Sequence, residues 1–352
     1  MRIAQIAPLY ESVPPRFYGG TERVVAYLTD ELVNLGHNVT LFASGDSITN
    51  ARLIPISPHA LRLHNHLDPL AYHILQLQEV FERADEFDIL HFHTDYLHFP
   101  FSSNSNIATI TTLHGRLDID DLKPIYKKFR NMPVVSISDA QREPLPLANW
   151  VGTVYHGLPI NLYKKAEGKG GYVTFIGRIS PEKRADRAIE IARQANVKIK
   201  IAAKIDKADQ LYFEKEIKHL LKLPHVEYLG EIGEKEKGEL LGDALAMLFP
   251  IDWKEPFGLV TIEALACGTP VIGYNLGSVS EIIDHGKTGY IVNDIPQAVK
   301  ALKQVHQISR DDCRADFESR FTAATMAKNY VGLYEKLSSA KSRELRRVSV
   351  NE

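Results

Sequence analysis

The stretch WKEPFGLVTIEALACGTPVIG, from Trp253 to Gly273, places two glutamates where they could serve one ligand. Glu255 lies in a loop that contains Pro and Gly, and Glu263 follows eight positions later inside an apolar helical run. A buried carboxylate requires hydrogen-bond donors, which the hydroxyls of a sugar or of a vicinal diol could supply. Glu263 could equally be an ordinary exposed carboxylate on an amphipathic helix, and the residue types alone do not decide between these placements.

A helix is predicted to begin near Gly258, between the two glutamates. The backbone N–H groups of its first turn, from Gly258 through Leu259 to Val260, have no partner within the helix, and the helix dipole adds partial positive charge there. Such a terminus binds anions, phosphate in particular, and a glycine lets the ligand approach the backbone closely. The stretch therefore predicts an anion site flanked by two carboxylates that could bind hydroxyls.

A second stretch, FIGRISPEKRAD from Phe175 to Asp186, predicts a strand, a basic turn and a helix start. Arg178 could hold phosphate oxygens as a fork and Lys183 as a point charge. Together they could stabilise a departing diphosphate without a metal. The alternative is a solvated basic turn, because Lys and Arg usually lie on the surface.

Two further positions could contact a ligand. Gly19 and Gly20 precede a helix for which Thr21 is the expected N-cap, so this turn is a second possible anion or sugar contact. A plain tight turn fits these residues as well. His114, in TTLHGRLD, follows a buried strand, where the catalytic side chains of α/β domains lie, although a single histidine is often structural.

The segments that carry these residues predict an α/β protein with two doubly wound halves. Near-continuous apolar strands alternate with helices, as in parallel sheets covered on both faces. The stretch His156–Gly171, rich in Lys, Gly and Pro, predicts a linker, and the end of the chain predicts a long helix. Ligands of such sheets bind beyond the carboxyl ends of the strands, and the cleft between two such domains is the default site. The predicted strands are Arg2–Ala7, Asn38–Ser44, Asp88–Phe92, Ile107–Leu113, Pro133–Ser138, Tyr172–Gly177, Val197–Ala203, Val226–Gly230, Met247–Pro250 and Thr269–Tyr274. The predicted helices include Val24 to Leu35, Arg184–Asn196, a helix around Ala208–Leu221, and Lys235–Leu245.

The composition is that of an ordinary globular protein. Its 352 residues exceed what one core usually organises, and a formal charge of −2 gives no reason to expect nucleic acid or an anionic membrane as a partner. The two cysteines, Cys267 and Cys313, do not suggest a disulfide framework and fit a reducing compartment. The sequence shows neither a signal peptide nor an apolar run long enough to span a bilayer, so we expect a cytoplasmic protein.

GRISPEK, followed later by EPFGLVTIEALACGTPVIG, resembles the retaining nucleotide-sugar glycosyltransferases of family 4, whose signature is Glu, seven residues, Glu. The resemblance covers most of the chain, and it is closest to bacterial members with the start YGGTERVV. It implies the GT-B fold, with a Rossmann-like acceptor-side domain over residues 1–160 and a Rossmann-like nucleotide-sugar domain over residues 161–325. Residues 326–352 would form a helix that returns to the N-terminal domain.

The resemblance also implies roles for the matching residues. His114 and Glu255 would be the catalytic residues, no metal would be bound, and no cofactor would be needed beyond the nucleotide-sugar co-substrate. The implied donor diphosphate contacts are Gly20, Arg178, Lys183, Leu259 and Val260. The implied contacts of the donor sugar are Glu255, Phe257 and Gly258, and those of the ribose and nucleoside are Glu263, Lys204 and Glu231.

Two positions depart from the family pattern. Arg184 follows Lys183 where a small glycine is common, and the segment KIKIAAKID has Lys204 and Asp206 in place of a Gly-x-Gly turn. That region borders the nucleoside, so the base is left open. We expect a UDP-sugar first and a GDP-sugar next.

Four other motifs are set aside. DIDD, Asp118–Asp121, could bind a metal but fits an acid-rich helix N-terminus better. HFHTD, His91–Asp95, has metal-ligand residue types, yet we favour a loop wall of the cleft in which His93 or Asp95 touches the acceptor. HGKTG lacks the first glycine of a phosphate-binding loop, because Glu281 occupies that position. KSRELRR fits a solvated helix face, with at most peripheral membrane contact.

The leading hypothesis is transfer of a hexose to a hydroxyl of a glycan, lipid-linked or small-molecule acceptor, with retention of configuration and without a metal. Three alternatives stay open: a nucleotide-sugar epimerase of the same fold, a glycoside hydrolase that uses Glu255 and Glu263, and a non-catalytic nucleotide-sugar sensor. The acceptor is expected to contact three loops, Pro8–Tyr18, Asp46–Leu70 and Thr94–Asn106, whose sequences do not identify it.

Overall fold

The computed structural model describes residues 1–16, 19–62 and 68–350, and in residues 344–350 only the course of the backbone. Phe17 and Tyr18 of the glycine-pair motif, residues 63–67 of one expected acceptor loop, and the last two residues of the predicted C-terminal helix lie outside the described ranges. The chain divides into two compact units. Unit 1 comprises Met1–Pro159 with Ala323–Glu352, and unit 2 comprises Ile160–Thr322.

The sheet of unit 1 is parallel throughout its described strands. Its strands are β1 (Arg2–Ile6), β2 (Asn38–Ser44), β3 (Arg52–Ser57), β4 (Ile89–Phe92), β5 (Thr109–Thr112), β6 (Pro133–Ser136) and β7 (Asn149–Thr153). They lie in the order β3-β2-β1-β4-β5-β6-β7. The strand order reverses between β1 and β4, which makes the sheet doubly wound and opens a crevice at their carboxyl ends.

The helices between these strands are α1 (Gly20–Asn34), α2 (Pro69–Glu82), α3 (Phe99–Ser102) and α4 (Leu122–Lys128). The first of them buries Val24, Leu28 and Leu32, which recur at the spacing of one helix face.

The sheet of unit 2 is also parallel in all of its described pairings. Its strands are β8 (Tyr172–Arg178), β9 (Lys198–Lys204), β10 (Val226–Gly230), β11 (Ala246–Phe249), β12 (Val271–Tyr274) and β13 (Gly289–Val292). They lie in the order β10-β9-β8-β11-β12-β13, so the order reverses between β8 and β11. The loops that follow β8 and β11 therefore emerge side by side at the carboxyl ends of neighbouring strands.

The helices of unit 2 are α5 (Ala185–Ala195), α6 (Gln210–Tyr212), α7 (Glu234–Asp243), α8 (Leu259–Ala266), α9 (Val279–Ile282), α10 (Ile295–Gln304) and α11 (Arg310–Arg320). The prediction of one helix around Ala208–Leu221 is wrong. A 3₁₀ turn, the short α6, a π-helical turn over Phe213–Ile217 and another 3₁₀ turn replace it. The 3₁₀ and π turns differ in the number of residues per turn, so the segment does not form one regular α-helix. Ile217 in the π turn is buried, whereas Leu211 in α6 is exposed.

The predicted linker, 156–171, contains no helix and none of the sheet strands, and the structure describes all of it. Two arginines of α11 fix its course. Arg310 donates from Nε to the carbonyl of Ala166 at 2.7 Å, and Arg314 donates to the carbonyls of Ile160 at 2.7 Å and Tyr163 at 2.8 Å. From Ile160 onward, the segment is thus irregular in backbone but bonded to α11 within unit 2.

The last helix, α12 (Ala323–Val350), belongs to unit 1, which confirms the expected return of the chain. Its buried residues include Tyr330 and Tyr334. The hydroxyl of Tyr334 contacts Gln5 of β1 at 3.1 Å and His91 of β4 at 2.7 Å, so the helix is bonded directly to the centre of the sheet. Within the described part of the chain, no helix has the length and apolar character that crossing a membrane requires.

Candidate functional site

The start of α8 has the geometry that the sequence predicts for an anion site. Gly258 is its N-cap, with φ +80, a left-handed conformation that glycine adopts without strain. A Cβ at this position would lie 3.0 Å from the ring of Phe249. The amides of Leu259 and Val260 belong to the first turn, where helical N–H groups have no partner inside the helix. The loop ahead of them is anchored, because Oγ of Ser278 donates to the carbonyl of Phe257 at 2.8 Å.

Glu255 and Lys183 form an ion pair beside this helix start. The pair joins the loop after β11 to the turn after β8, as the order of the strands allows. Glu255 is 8% exposed, and its Oε2 accepts both from Lys183 and from Nε1 of Trp253, the latter at 2.9 Å. The ammonium of Lys183 lies 5.3 Å from the ring centroid of Trp253 and 5.8 Å from that of Phe249. One oxygen of the Glu255 carboxylate thus accepts from two donors, and one of these donors, Lys183, lies near two aromatic rings.

Glu263 is 4% exposed, which settles its placement in favour of the buried alternative. Nζ of Lys237, on α7, lies 2.8 Å from its Oε1 and 3.1 Å from Oε1 of Glu234. A carboxylate so deep in a helix is stable only with a charged or hydrogen-bonding partner, and Lys237 supplies one. Lys237 could not be predicted, because nothing near it in the sequence marks it as the partner of Glu263.

Arg178 is surrounded by carboxylates. Its guanidinium donates to Glu182 at 2.8 Å and lies 3.5 Å from Asp206 and 3.9 Å from Asp209. Lys204 contacts the same Asp206 at 3.2 Å. The predicted phosphate fork and the predicted nucleoside contact therefore share one charged cluster. Glu231, the third predicted nucleoside contact, is exposed.

The structure explains the departure at Arg184. This residue has φ +56, so a glycine would fit the backbone here without strain. Arg184 is held in this conformation by Asp186 at 2.8 Å and by Asp252 at 2.9 Å. The turn that presents Lys183 is therefore fixed by side-chain ion pairs.

In unit 1, the half-buried His114 lies against two buried histidines. Its Nε2 lies 2.9 Å from Nδ1 of His93, and its ring stacks on that of His156 with centroids 5.2 Å apart. Burial lowers the pKa of His114 to about 3, so the ring is neutral at physiological pH. His93 is 3% exposed, and both of its ring nitrogens are bonded within unit 1. The hypothesis that His93 or Asp95 touches the acceptor stays a prediction.

The glycine pair differs from the prediction in one respect. The N-cap of α1 is Gly19, and the helix begins at Gly20, so Thr21 is not the cap. A Cβ on Gly19 would lie 2.8 Å from Cβ of Pro15, which explains why this position has no side chain.

The acidic stretch DIDD forms local ion pairs. Asp118 pairs with Arg116 at 2.7 Å and Asp120 with Lys123 at 2.7 Å. In the portion of the chain that the structure describes, no group of three or more His, Cys, Asp or Glu side chains is arranged to hold a metal ion.

The structure thus brings together Lys183, Glu255 and Gly258 within unit 2, and shows Glu263 on the same helix that Gly258 begins. Gly20 and His114 belong to unit 1, so their contacts with a donor stay predictions. Trp253 is a site residue that was not predicted, although it stands two residues before Glu255 and its indole N–H is a hydrogen-bond donor.

Solved structures share this architecture over nearly the whole chain. The sucrose-phosphate synthase of Thermosynechococcus elongatus is similar with a TM-score of 0.78 at 18% identity, covering 97% of this chain and 100% of that one. Anabaena HepE, solved in complex with UDP-glucose, is similar with a TM-score of 0.74 at 16% identity, covering 96% and 100%. Two doubly wound parallel units with these likenesses define the fold as GT-B.

Two family models match the chain, Glycosyltransferase Family 4 over residues 18–143 and Glycosyl transferases group 1 over residues 163–325. An uncharacterised glycosyltransferase of Methanocaldococcus jannaschii is 25% identical over 335 residues, which cover 82% of this chain and 84% of the relative. The protein belongs to glycosyltransferase family 4, among the group 1 glycosyl transferases, and is a transferase enzyme.

Proposed function

We propose that this glycosyltransferase moves a hexose from a nucleoside diphosphate sugar to a hydroxyl of a glycan, lipid-linked or small-molecule acceptor, with retention of configuration and without a metal. A UDP-sugar is the first choice of donor and a GDP-sugar the second. The observation that carries the proposal is the start of α8, where first-turn amides lie between two buried, lysine-paired glutamates.

Each part of this arrangement matches one part of a nucleotide-sugar. The amides of Leu259 and Val260 would bind the diphosphate, because a helix N-terminus favours anions. Glu263 would accept hydrogen bonds from the ribose hydroxyls through the oxygen that Lys237 does not occupy. Glu255 would do the same for hydroxyls of the transferred sugar, with Trp253 keeping the carboxylate in place.

Donor binding would rearrange the pair of Lys183 and Glu255. The ammonium would turn from the carboxylate to the diphosphate, where negative charge develops as the glycosidic bond breaks. The carboxylate oxygen released by Lys183 would become available to the sugar. The exchange replaces one charged hydrogen bond by two, so it costs little while it orients both groups.

The leaving diphosphate would be stabilised by fixed positive groups, namely Lys183, Arg178 and the amides of α8, which is why we propose a reaction that needs no metal. Arg178 would share its guanidinium between phosphate and the carboxylates around it. Attack on the same face as the leaving group, with the donor phosphate taking the acceptor proton, follows the resemblance to retaining members of the family.

The choice of a UDP-sugar is supported by the crystal structure of Anabaena HepE in complex with UDP-glucose. That protein shares the fold at 16% identity, and its ligand is therefore a guide to the first compounds to test. No observation favours the hydrolase alternative. A glycosidase acid must carry a proton, whereas Glu255 and Glu263 both accept charged hydrogen bonds from lysines.

The test is product analysis with UDP-hexoses and GDP-hexoses, a panel of hydroxyl acceptors, and either magnesium or EDTA. Proton NMR of the product reports the anomeric configuration. Transfer with retention in EDTA supports the proposal, and inverted product or complete loss in EDTA contradicts it. Turnover of the donor to an epimer without any acceptor would favour the epimerase alternative.

A further inference from the structure

A buried chain of hydrogen bonds runs through the centre of unit 1 and ends at His114. Nε2 of Gln5 donates to the hydroxyl of Tyr334 at 3.1 Å, and Oε1 of Gln5 lies 2.8 Å from Nε2 of His93. Nδ1 of His93 lies 2.9 Å from Nε2 of His114. The hydroxyl of Tyr334 also lies 2.7 Å from Nδ1 of His91. Gln5, His91, His93 and Tyr334 are each 3% exposed or less, so water does not compete for these bonds.

The protons in this chain of hydrogen bonds can be assigned from how many bonds each group can donate and accept. The hydroxyl of Tyr334 accepts from Gln5, so among the described residues Nδ1 of His91 is the acceptor for its own proton. Nε2 of His91 then carries the ring proton and donates to Thr112 at 2.7 Å. With its amide nitrogen engaged by Tyr334, Gln5 presents its oxygen to His93.

The orientation of the Gln5 amide determines which ring nitrogens of His93 and His114 carry a proton. A carbonyl oxygen only accepts, so Nε2 of His93 must carry a proton. Burial lowers the pKa of His93 well below its ordinary range and that of His114 to about 3, so each ring carries a single proton at neutral pH. Nδ1 of His93 is therefore bare and accepts from Nε2 of His114.

Because the single proton of His114 is on Nε2, its Nδ1 carries no proton. This atom is buried and has no hydrogen-bond partner among the described residues. An unpartnered buried acceptor costs free energy, and a bound ligand that donates a hydrogen bond would satisfy it. A bare ring nitrogen accepts from hydroxyls and repels oxygens that have no proton, such as those of phosphate.

We propose that Gln5, His93 and Tyr334 are positioning residues that hold His114 as its Nε2–H tautomer, so that Nδ1 accepts a hydrogen bond from a hydroxyl of the donor sugar. The sugar part of this inference rests on the proposed function. The tautomer part does not, and it can be measured without any ligand. Tyr334 of α12 thereby helps to orient His114, which lies in the loop that follows β5.

Tyr330 offers a matched control. It lies one helical turn before Tyr334 on α12, is 1% exposed, and contacts Thr112 at 2.8 Å. Tyr330→Phe and Tyr334→Phe each delete one buried hydroxyl from the same helix. Only Tyr334→Phe removes the acceptor that fixes the amide of Gln5. The amide can then rotate by 180° and present its nitrogen to His93. His93 and His114 would then each change to the other tautomer.

The experiment is nitrogen-15 NMR of the full-length protein with labelled histidine rings, on the wild type and on both variants. The wild type should show one His114 tautomer, with Nδ1 unprotonated, and Tyr330→Phe should keep it. Tyr334→Phe should show a mixture of tautomers, and Gln5→Met provides a second variant in which the selecting oxygen is absent. His114→Gln assigns the resonance.

Kinetics with the donor sugar then test the functional consequence. Tyr334→Phe should lower kcat/KM in proportion to the fraction of His114 that loses the Nε2–H tautomer, about twofold for an equal mixture, while affinity for UDP alone stays at the wild-type value. A wild-type His114 protonated on Nδ1, or a single unchanged tautomer in both Tyr334→Phe and Gln5→Met, would overturn the relay. A mixed tautomer with unchanged kcat/KM would overturn its link to the sugar. Failure of the wild type to turn over any nucleotide-sugar would instead count against the proposed function and leave the tautomer measurement valid.

Discussion

Lys183 donates to the carboxylate of Glu255 across 72 positions of the sequence. The contact forms because β8 and β11 are neighbours in the sheet of unit 2, and because each residue follows one of these strands. The half-buried ammonium of Lys183 and the buried carboxylate of Glu255 lie beside a helix start, where each could exchange its partner for a ligand. The first two predictions concern this pair.

Lys183→Ala should weaken UDP binding by about tenfold to a hundredfold, because a charged hydrogen bond to phosphate is lost. Calorimetric titration with UDP measures this. The matched control is Lys218→Ala, which removes a lysine paired with Glu214 at 2.6 Å on the surface of the same unit. Equal affinity in wild type and Lys183→Ala would contradict the diphosphate role.

Glu255→Gln should lower kcat by roughly a hundredfold, a typical size for an oriented charged contact to the reacting group. Affinity for UDP should be unchanged or higher, because Lys183 no longer has to leave a carboxylate before it binds phosphate. Glu227→Gln, an exposed partner of Lys200, serves as the control. Equal losses in kcat and in UDP affinity would argue against the proposal that Glu255 binds the transferred sugar.

Glu263→Gln should remove discrimination between UDP and 2′-deoxy-UDP. The wild type should prefer UDP by about tenfold, the value of one hydrogen bond to a charged group, and the variant should bind the two alike. Glu234→Gln is the matched control, since Glu234 contacts the same Lys237. If Glu263→Gln kept the wild-type preference for UDP over 2′-deoxy-UDP, another residue would have to bind the ribose hydroxyl.

The sequence predicted most of the central strands and the helix start at Gly258, because these rest on local apolar pattern and glycine geometry. It missed β3, β7 and β13, which lie at sheet edges. The first two are too exposed to form continuous apolar runs, and β13 has only four residues. The partners of the site residues could not be predicted either. Lys237 meets Glu263, and Gln5 meets His93, only because the sheet order brings distant segments together.

Gly258→Ala should destabilise the protein by about 1–2 kcal/mol, because an alanine pays the left-handed backbone cost at φ +80. The added Cβ also meets the ring of Phe249. UDP affinity should fall as the helix start shifts. Gly332→Ala, in α12 with open space around its Cβ, should stabilise by about 0.5–1 kcal/mol. Chemical denaturation of both variants checks the opposite signs.

The buried histidines predict loss of stability in acid. Burial lowers the pKa of His98 and His114 to about 3 and those of His91, His93 and His156 well below their ordinary range. Between the ordinary pKa of about 6.5 and the folded values, the unfolded chain binds more protons, so the free energy of unfolding falls as the pH falls. Each group contributes up to roughly 1.4 kcal/mol per pH unit in that window. Denaturant titrations from pH 7.5 to about pH 5 should show this slope, and His98→Gln should reduce it. A free energy of unfolding that does not change across this range would contradict the burial of neutral histidines.

We propose above that the start of α8 binds the diphosphate of a nucleotide-sugar without a metal. The most direct measurement is calorimetric titration of the wild type and of Lys183→Ala with UDP, GDP and ADP, each with magnesium and with EDTA. We expect one of these nucleotides, UDP first, to bind the wild type equally in both buffers and to bind Lys183→Ala at least about tenfold more weakly. Binding that requires magnesium, or no binding of any of the three, would contradict it.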